Sequence, residues 1–323
     1  MNAKFSYNRL EFRDIEADRF KHVLDGANLE HTVTSRQSGN AIIEQFHGSH
    51  FSLDLGHYAF PIVARGQFAP GCICIGMAFG ARTATWINGF STGDGHLQIY
   101  SEGTDLLYRA GPDASWIGLT ITREKMQIAA LARLGRELKI SPRSNMEHWR
   151  VDAAALTRLA QLVRSVIPKP GNMQREPAKT EAVIVGAYVE VLASAEESVA
   201  DRVRKRAAWR LDVLQRATAA MQHLVGSSYS SSRLCRHLGV SERNLELYFQ
   251  EALGLSPKAW FQHIALRKAR RKLLLDDSCG TSVTQIALDC GFEHLGRFSE
   301  SYRKLFGELP SDTLRRSRPA LRA

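Results

Sequence analysis

Long apolar runs are missing from this 323-residue chain: none approaches the 18 residues that a membrane-spanning helix requires. The opening stretch, MNAKFSYNRLEFRD, is charged and lacks the apolar core of a secretion signal, so no leader is expected. Cysteine is scarce, five in all, odd in number and scattered, which argues against a disulfide framework and fits a reducing compartment. There is no P-loop, dinucleotide fingerprint or Gly-x-Ser-x-Gly motif. His47, His50, His57 and His96 occur without a His-x-His pair and a suitably spaced Glu, so they read as surface or hydrogen-bonded groups. Cys72-x-Cys74 has no second pair to complete a zinc site. No catalytic residue, metal or cofactor is therefore expected. Net charge is also absent from residues 1–200, where 21 Lys and Arg balance 21 Asp and Glu.

The excess sits at the other end. Residues 201–323 hold 22 Lys and Arg against 12 Asp and Glu, a net of +10 that equals the charge of the whole chain. A basic surface attracts phosphate and releases condensed counterions. The same segment contains two helix-turn-helix patterns, Ser232 to Leu253 and Ser282 to Phe306. In the first, Leu234, Leu238 and Val240 mark one apolar face and Leu245 and Phe249 the next. Gly239 stands where the turn needs positive φ, and Ser241 can cap the second helix. In the second, Ser282 and Gln285 fit a capping box, Gly291-Phe292 supplies the turn, and Phe298, Tyr302 and Leu305 are spaced for a buried face. Between them Pro257 to Leu275 reads as one helix of about 28 Å, a spacer comparable to the roughly 34 Å between successive major-groove segments.

The residues GVSERNLELYF, GLSPKAWFQHIALRKARRKLL and IALDCGFEHLGRFSESYRKLFGELPSD resemble the AraC/XylS-type bacterial transcription regulators, over roughly Leu211 to Arg315. The resemblance implies seven helices in a DNA-binding domain, with the third and sixth reading bases. Outward positions on the first reading helix include Arg243, Asn244, Glu246 and Leu247. Arg243 matches a base-reading position and can give two hydrogen bonds to guanine. Asn244 suits adenine or a phosphate, and Glu246 suits cytosine N4 or is a surface charge. Leu247 departs from members that carry arginine there. On the second helix His294, Leu295, Gly296, Arg297 and Glu300 face outward; Arg297 is the best candidate for a base or phosphate contact. Glu300 departs from an arginine often found there. Arg267, Arg270 and Arg271 on the connecting helix are either phosphate contacts or a solvated face. Phe249, Trp260, Phe298, Tyr302 and Phe306 read as core.

Ahead of this region, residues 1–40 read as an irregular or partly helical lead-in, with Phe20, Val23 and Leu24 hinting at a helical face. From Ala41 to Trp116, Gly and Pro punctuate short strand-like runs such as Cys72–Ile75, a spacing that suggests a β-sandwich or barrel, and Asn88-Gly89 signals a hairpin. Phe51, Leu53 and Leu55 alternate with polar partners. Thr122 to Leu138 then reads as a helix burying Met126, Leu131, Leu134 and Leu138, and Asp152 caps another running to Ile167. Lys179 to Ala195 is helical with a wide apolar face, packed either on the β-region or on a second protomer.

The expected fold is α+β: a β-rich, barrel- or cupin-like N-terminal domain with flanking helices over residues 1–195, a connection at 196–206, and an all-α domain at 207–323. The expected function is sequence-specific binding of double-stranded promoter DNA by a cytoplasmic transcription regulator. Its N-terminal domain would bind a small effector or pair protomers into a homodimer, with RNA polymerase as a further partner and no membrane. The alternatives are a constitutive dimeric DNA-binder without ligand, or a cupin-type enzyme with a DNA-binding tail. Trp86 and Tyr100 either line a pocket or pack as core.

Overall fold

A computed structural model describes residues 6–13, 27–35, 39–81, 83–141, 146–167, 177–197, 201–275 and 282–317. The chain divides into two compact units: Gln37–Ala207 with Met1–Val33, and Ala208–Ala323 with Thr34–Arg36.

The first unit is built on two antiparallel sheets. Its strands are β1 (Ser6–Arg13), β2 (Ala27–Val33), β3 (Asn40–His47), β4 (Phe51–Tyr58), β5 (Ile62–Phe68), β6 (Ile73–Phe79), β7 (Thr85–Ile87), β8 (Phe90–Thr92), β9 (His96–Tyr100), β10 (Asp105–Ala110), β11 (Ala114–Ile121), β12 (Met146–Arg150) and β13 (Glu196–Glu197). The larger sheet has the order β1-β3-β4-β11-β6-β9-β12-β13 and the smaller β2-β5-β10-β7-β8. Of the sandwich or barrel expected from sequence, the structure has two antiparallel sheets, each with its own edge strands, and not a closed barrel.

Three helices cover the far face of the larger sheet: α1 (Arg123–Leu134), α2 (Ala153–Val166) and α3 (Pro177–Ala193). Phe51, Leu53 and Leu55 of β4 join Ile184, Tyr188 and Leu192 of α3 in one core. The apolar face of α3 therefore packs on its own β-region. The polar partners on β4 do not face water: Ser52 and Asp54 are buried as well, because the sheet is covered on both sides. Leu131, expected inside, is exposed, and α1 stops at Gly135 in the left-handed region before Leu138 is reached. Asp152 caps α2 as expected, accepting from the Ala154 and Ala155 amides.

The lead-in is strand rather than irregular where it is described. Phe20, Val23 and Leu24 lie outside the described residues. β1 is an edge strand held by backbone pairing to β3 and by cross-strand polar bonds such as Tyr7 Oη to Glu44 at 2.6 Å. Its alternation is short, with Leu10 and Phe12 half-buried between the charged Arg9, Glu11 and Arg13, as suits a strand that pairs on one side only. Asn88 at φ 47° and Gly89 at φ 85° close the β7–β8 hairpin as expected. Asn88 also ties that turn to β10, its Oδ1 accepting from the Leu107 amide at 2.7 Å.

The second unit is helical: α4 (Asp201–Leu224, from residue 208 onward), α5 (Ser231–Leu238), α6 (Glu242–Leu253), α7 (Pro257–Leu275), α8 (Val283–Asp289), α9 (Leu295–Phe306) and α10 (Pro310–Ser317). These are seven helices among the described residues, and α6 and α9 are the third and sixth. Of the expected connection at 196–206, residues 196–197 form β13 and 201–206 begin α4.

Candidate nucleic-acid interface

Each helix pair is set by its turn and caps. Gly239 ends α5 at φ 69°, a conformation a side chain would strain. Ser241 then starts α6, its Oγ accepting from the Asn244 amide at 3.2 Å. Leu234, Cys235 and Leu238 on α5 and Leu245, Tyr248, Phe249, Ala252 and Leu253 on α6 are buried. Ser256 Oγ accepts from the Ala259 amide and opens α7, whose 19 residues bury Trp260, Phe261, Leu266 and Leu273. In the second pair Ser282 caps α8 by accepting from the Gln285 amide at 3.1 Å. The rest of the expected capping box is absent, because the Gln285 side chain instead donates to Asp289 Oδ1 at 2.8 Å.

Aromatic contacts fix α9 in place. Phe292 of the turn meets Phe298 at 4.8 Å between ring centroids, Phe298 meets Tyr302 at 5.7 Å, and Tyr302 meets Phe306 at 4.6 Å. Behind them Glu308 joins three helices. Arg316 donates to both its oxygens at 2.7 and 2.9 Å, Thr313 Oγ1 donates to Oε1 at 2.8 Å, and Arg270 lies 3.5 Å away. Burial pushes the Glu308 pKa up, but the Arg316 and Thr313 hydrogen bonds and the two guanidinium charges outweigh it and hold the carboxyl below its ordinary range. Arg270 also sits 4.5 Å over the Phe306 ring. It is therefore committed to the scaffold rather than offered to a ligand.

The scaffold leaves one face of each candidate reading helix in solvent. On α6 Arg243, Asn244, Glu246 and Leu247 are all exposed, Leu247 to 45%. On α9 His294, Leu295, Gly296, Arg297 and Glu300 are exposed. Helical spacing adds residues the sequence reading did not name. Gln250 follows Arg243 by seven positions and Lys304 follows Arg297 by seven, and both are exposed. Projecting that period from each arginine would have found them. Arg271 on α7 is exposed, whereas Arg267 is partly buried and its charge helps lower the pKa of His263, after burial itself, to about 4.

The first unit contains a separate feature, a cavity of about 70 Å³ between its two sheets. Tyr58, Tyr100 and Trp116 of the larger sheet and Phe68 and Tyr108 of the smaller contribute rings to its wall. Tyr100 thus lines a pocket, and Trp86 is not among the lining residues. Gly56 makes room for the Trp116 indole, since a Cβ there would sit 2.1 Å from the ring. Tyr58 Oη lies 3.2 Å from His31 Nε2. Gln98 Nε2 donates to Thr92 Oγ1 at 2.9 Å, while Gln98 Oε1 and Tyr108 Oη have no hydrogen-bond partner among the described residues. Burial raises the pKa of the Tyr58, Tyr100 and Tyr108 phenols and pushes the Cys74 thiol up to about 12, so all four stay protonated and neutral. Among the described residues no three His, Cys, Asp or Glu side chains gather into a group that could hold a metal ion, and no helix is long and apolar enough to cross a membrane.

Residues 234–316 match the family described as "Helix-turn-helix domain". The XylDLEGF operon transcriptional activator 3 of Pseudomonas putida is 40% identical over 102 residues, covering 32% of this chain and 31% of that protein. The probable thc operon regulatory protein of Rhodococcus erythropolis is 42% identical over 84 residues, 26% of this chain and 25% of that one. The match therefore spans a third or less of these relatives' length. A crystal structure of a probable AraC family transcriptional regulator from Rhodopseudomonas palustris CGA009 is 35% identical and covers 33% of this chain and 99% of that one, with a TM-score of 0.32.

Proposed function

We propose, from the premise that the C-terminal region is a helix-turn-helix domain of the AraC type, that this chain regulates transcription by binding a particular duplex sequence. The observation that carries the reading is the pair α6 and α9. Each is held from behind by buried aromatics, and each presents a row of exposed polar side chains. Phosphate contacts would supply affinity and position, and the exposed side chains would supply sequence discrimination. Arg243, Asn244, Glu246 and Leu247 read one major-groove segment; His294, Leu295, Gly296, Arg297 and Glu300 read the next. Arg271 serves a phosphate, and Arg267 remains a weaker candidate because it is partly buried.

Two of the relatives are named as an operon activator and an operon regulatory protein, which favours a regulatory rather than enzymatic role here and activation over repression. The first unit is read as the sensor. Its inter-sheet cavity supports a small effector, and exposed Ile128 and Leu131 on α1 and Val183 on α3 support pairing of two protomers. An effector that binds one arrangement of the sensor better than another shifts the population toward it. RNA polymerase is the further partner of such a regulator, and the cytoplasm its place of work.

The test is a selection of random duplexes by the full chain, followed by titration of the winners in salt. The expected result is one enriched motif with two half-sites a helical turn apart, and an affinity that falls steeply as salt rises. A pool that stays random after repeated rounds overturns the reading.

A further inference from the structure

We propose that Gly226, Gly291, Lys268, Lys272 and Asp289 form a positioning tie that holds α6 and α9 at one distance and angle, and so sets the half-site spacing that the chain accepts. The 19 residues of α7 set the length of the gap, about 28 Å. Length alone does not fix angle. Two bodies on one rod resist bending and twisting only when a second connection closes the frame.

The second connection lies between two turns. α4 ends at Leu224, and the chain reverses through Val225, Gly226 and Ser227, with the Ser227 amide donating to the Leu224 carbonyl at 2.9 Å. Gly226 sits at φ 103° against the end of α8, where a Cβ would lie 2.9 Å from the Asp289 carbonyl oxygen. Gly291, at φ 83° in the turn before α9, faces it in return, and a Cβ there would lie 3.5 Å from the Gly226 Cα. The obstacle at Gly226 is backbone, which cannot rotate aside as a long side chain can. Backbone thus meets backbone between segments that α5, α6 and α7 separate in sequence.

Two lysines of α7, one turn apart, fasten both sides of this contact. Lys268 Nζ donates to the Val225 carbonyl at 3.3 Å, and Lys272 Nζ donates to Asp289 Oδ2 at 3.0 Å. Gln285 donates to the other Asp289 oxygen at 2.8 Å. The Gln285 hydrogen bond, followed by that of Lys272, holds the Asp289 carboxyl below its ordinary range, so it is charged at neutral pH. An ion pair this exposed contributes little to stability. An acidic residue at the C-terminal end of α8 also opposes the helix dipole. Both points favour position over stability as the role of Asp289. On DNA the consequence is strict. One extra base pair between half-sites moves the second by about 3.4 Å and turns it by about 34°, which a closed frame cannot follow.

The inference rests on the DNA reading for this consequence, so one arm of its test uses no DNA. Spin labels are attached to the full chain through ketone-bearing residues in place of Gln250 and Lys304, on the exposed faces of α6 and α9, and the distances between them are measured. Wild type should give one narrow distribution. Asp289→Lys sets two ammonium groups against each other while suiting the α8 dipole, so the fold should hold and the distribution should broaden. Adding Lys272→Asp restores opposite charges and should narrow it again. Gly226→Ala should broaden it most; should that variant not fold, Asp289→Lys and its charge reversal carry the test. In the second arm, affinity is measured for the selected duplex and for the same duplex with one base pair inserted between the half-sites. Asp289→Lys should lower the preference for the original spacing by about tenfold, and the charge reversal should recover it. A purely structural role would weaken both duplexes alike. The proposal is overturned if the distance distribution of Asp289→Lys stays as narrow as that of wild type, or if both duplexes weaken equally and the spacing preference survives. A chain that selects no duplex defeats the DNA reading, and the distance measurement still decides the tie.

Discussion

The two reading helices share an inner face and differ on the outer one. Inside, α6 buries Leu245, Phe249 and Ala252, and α9 buries Phe298, Tyr302 and Leu305, an equivalent row at the same distance from each helix start. Outside, α6 carries Arg243 against Glu242, Glu246 and Glu251, a net of −2, although Glu251 is turned to Arg210 at 3.2 Å. α9 carries Arg297, Arg303 and Lys304 against Glu300 alone, a net of +2. Counted from the helix starts, Arg243 aligns with Gly296, Asn244 with Arg297 and Leu247 with Glu300. Duplicating a scaffold thus does not duplicate what it reads. An acidic helix lies poorly beside phosphates, so in the proposed complex α6 would contribute by complementarity to base edges, whereas α9 would add plain electrostatic attraction.

The largest effects test the shared part. Phe249 and Phe298 are both almost fully buried on the inner faces. Phe249→Ala and Phe298→Ala should each remove about 3–5 kcal/mol of stability in denaturant melts. A marked inequality would show that the two scaffolds are not equivalent. Smaller effects test the outer faces. Arg243→Ala and Arg297→Ala should each lose roughly 1–3 kcal/mol of discrimination between the selected duplex and random DNA. Lys304→Ala should instead weaken both duplexes alike and lower the salt slope by about one. If Arg243→Ala flattened the salt slope while Lys304→Ala relaxed sequence preference, the division of labour drawn here would be reversed.

The second unit could be read from sequence because its signals are local. Gly239, Ser241, Gly254, Ser256 and Ser282 each act within four residues, and their caps and turns fall where those residues sit. Arg270 was less legible: nothing within its own helix reveals that Glu308, 38 positions on, claims it. The first unit depended on distant partners throughout. β1 was missed because its alternation is only Leu10 and Phe12 long and the strand is specified by its neighbour β3, and Ser52 and Asp54 looked solvent-facing because the sheet covering them is formed by other strands. The cavity was beyond reach for the same reason. Its wall draws on β2, β4, β5, β6, β7, β9, β10 and β11, and no run of sequence contains it. The face proposed to meet DNA was half visible. The positions near each helix start follow from the motif, whereas Gln250 and Lys304 emerge only when the helical period is carried a further two turns.

The subtlest difference between the helices is at one aligned position, Leu247 on α6 and Glu300 on α9. An exposed leucine gains nothing in water, but beside a thymine its side chain can cover the C5-methyl group in the major groove. Glutamate cannot do this and favours the amino group of cytosine. The α6 half-site should therefore hold a thymine opposite Leu247, and the α9 half-site should not hold one at the matching place. Replacing that thymine by uracil removes only the methyl group. Wild-type affinity should fall by about 1 kcal/mol, the worth of one buried methyl, and Leu247→Ala should be indifferent to the change. The double-mutant cycle isolates the contact. Equal losses from uracil in wild type and Leu247→Ala would mean that the leucine does not read the methyl, and that the asymmetry between the two helices lies in their charges alone.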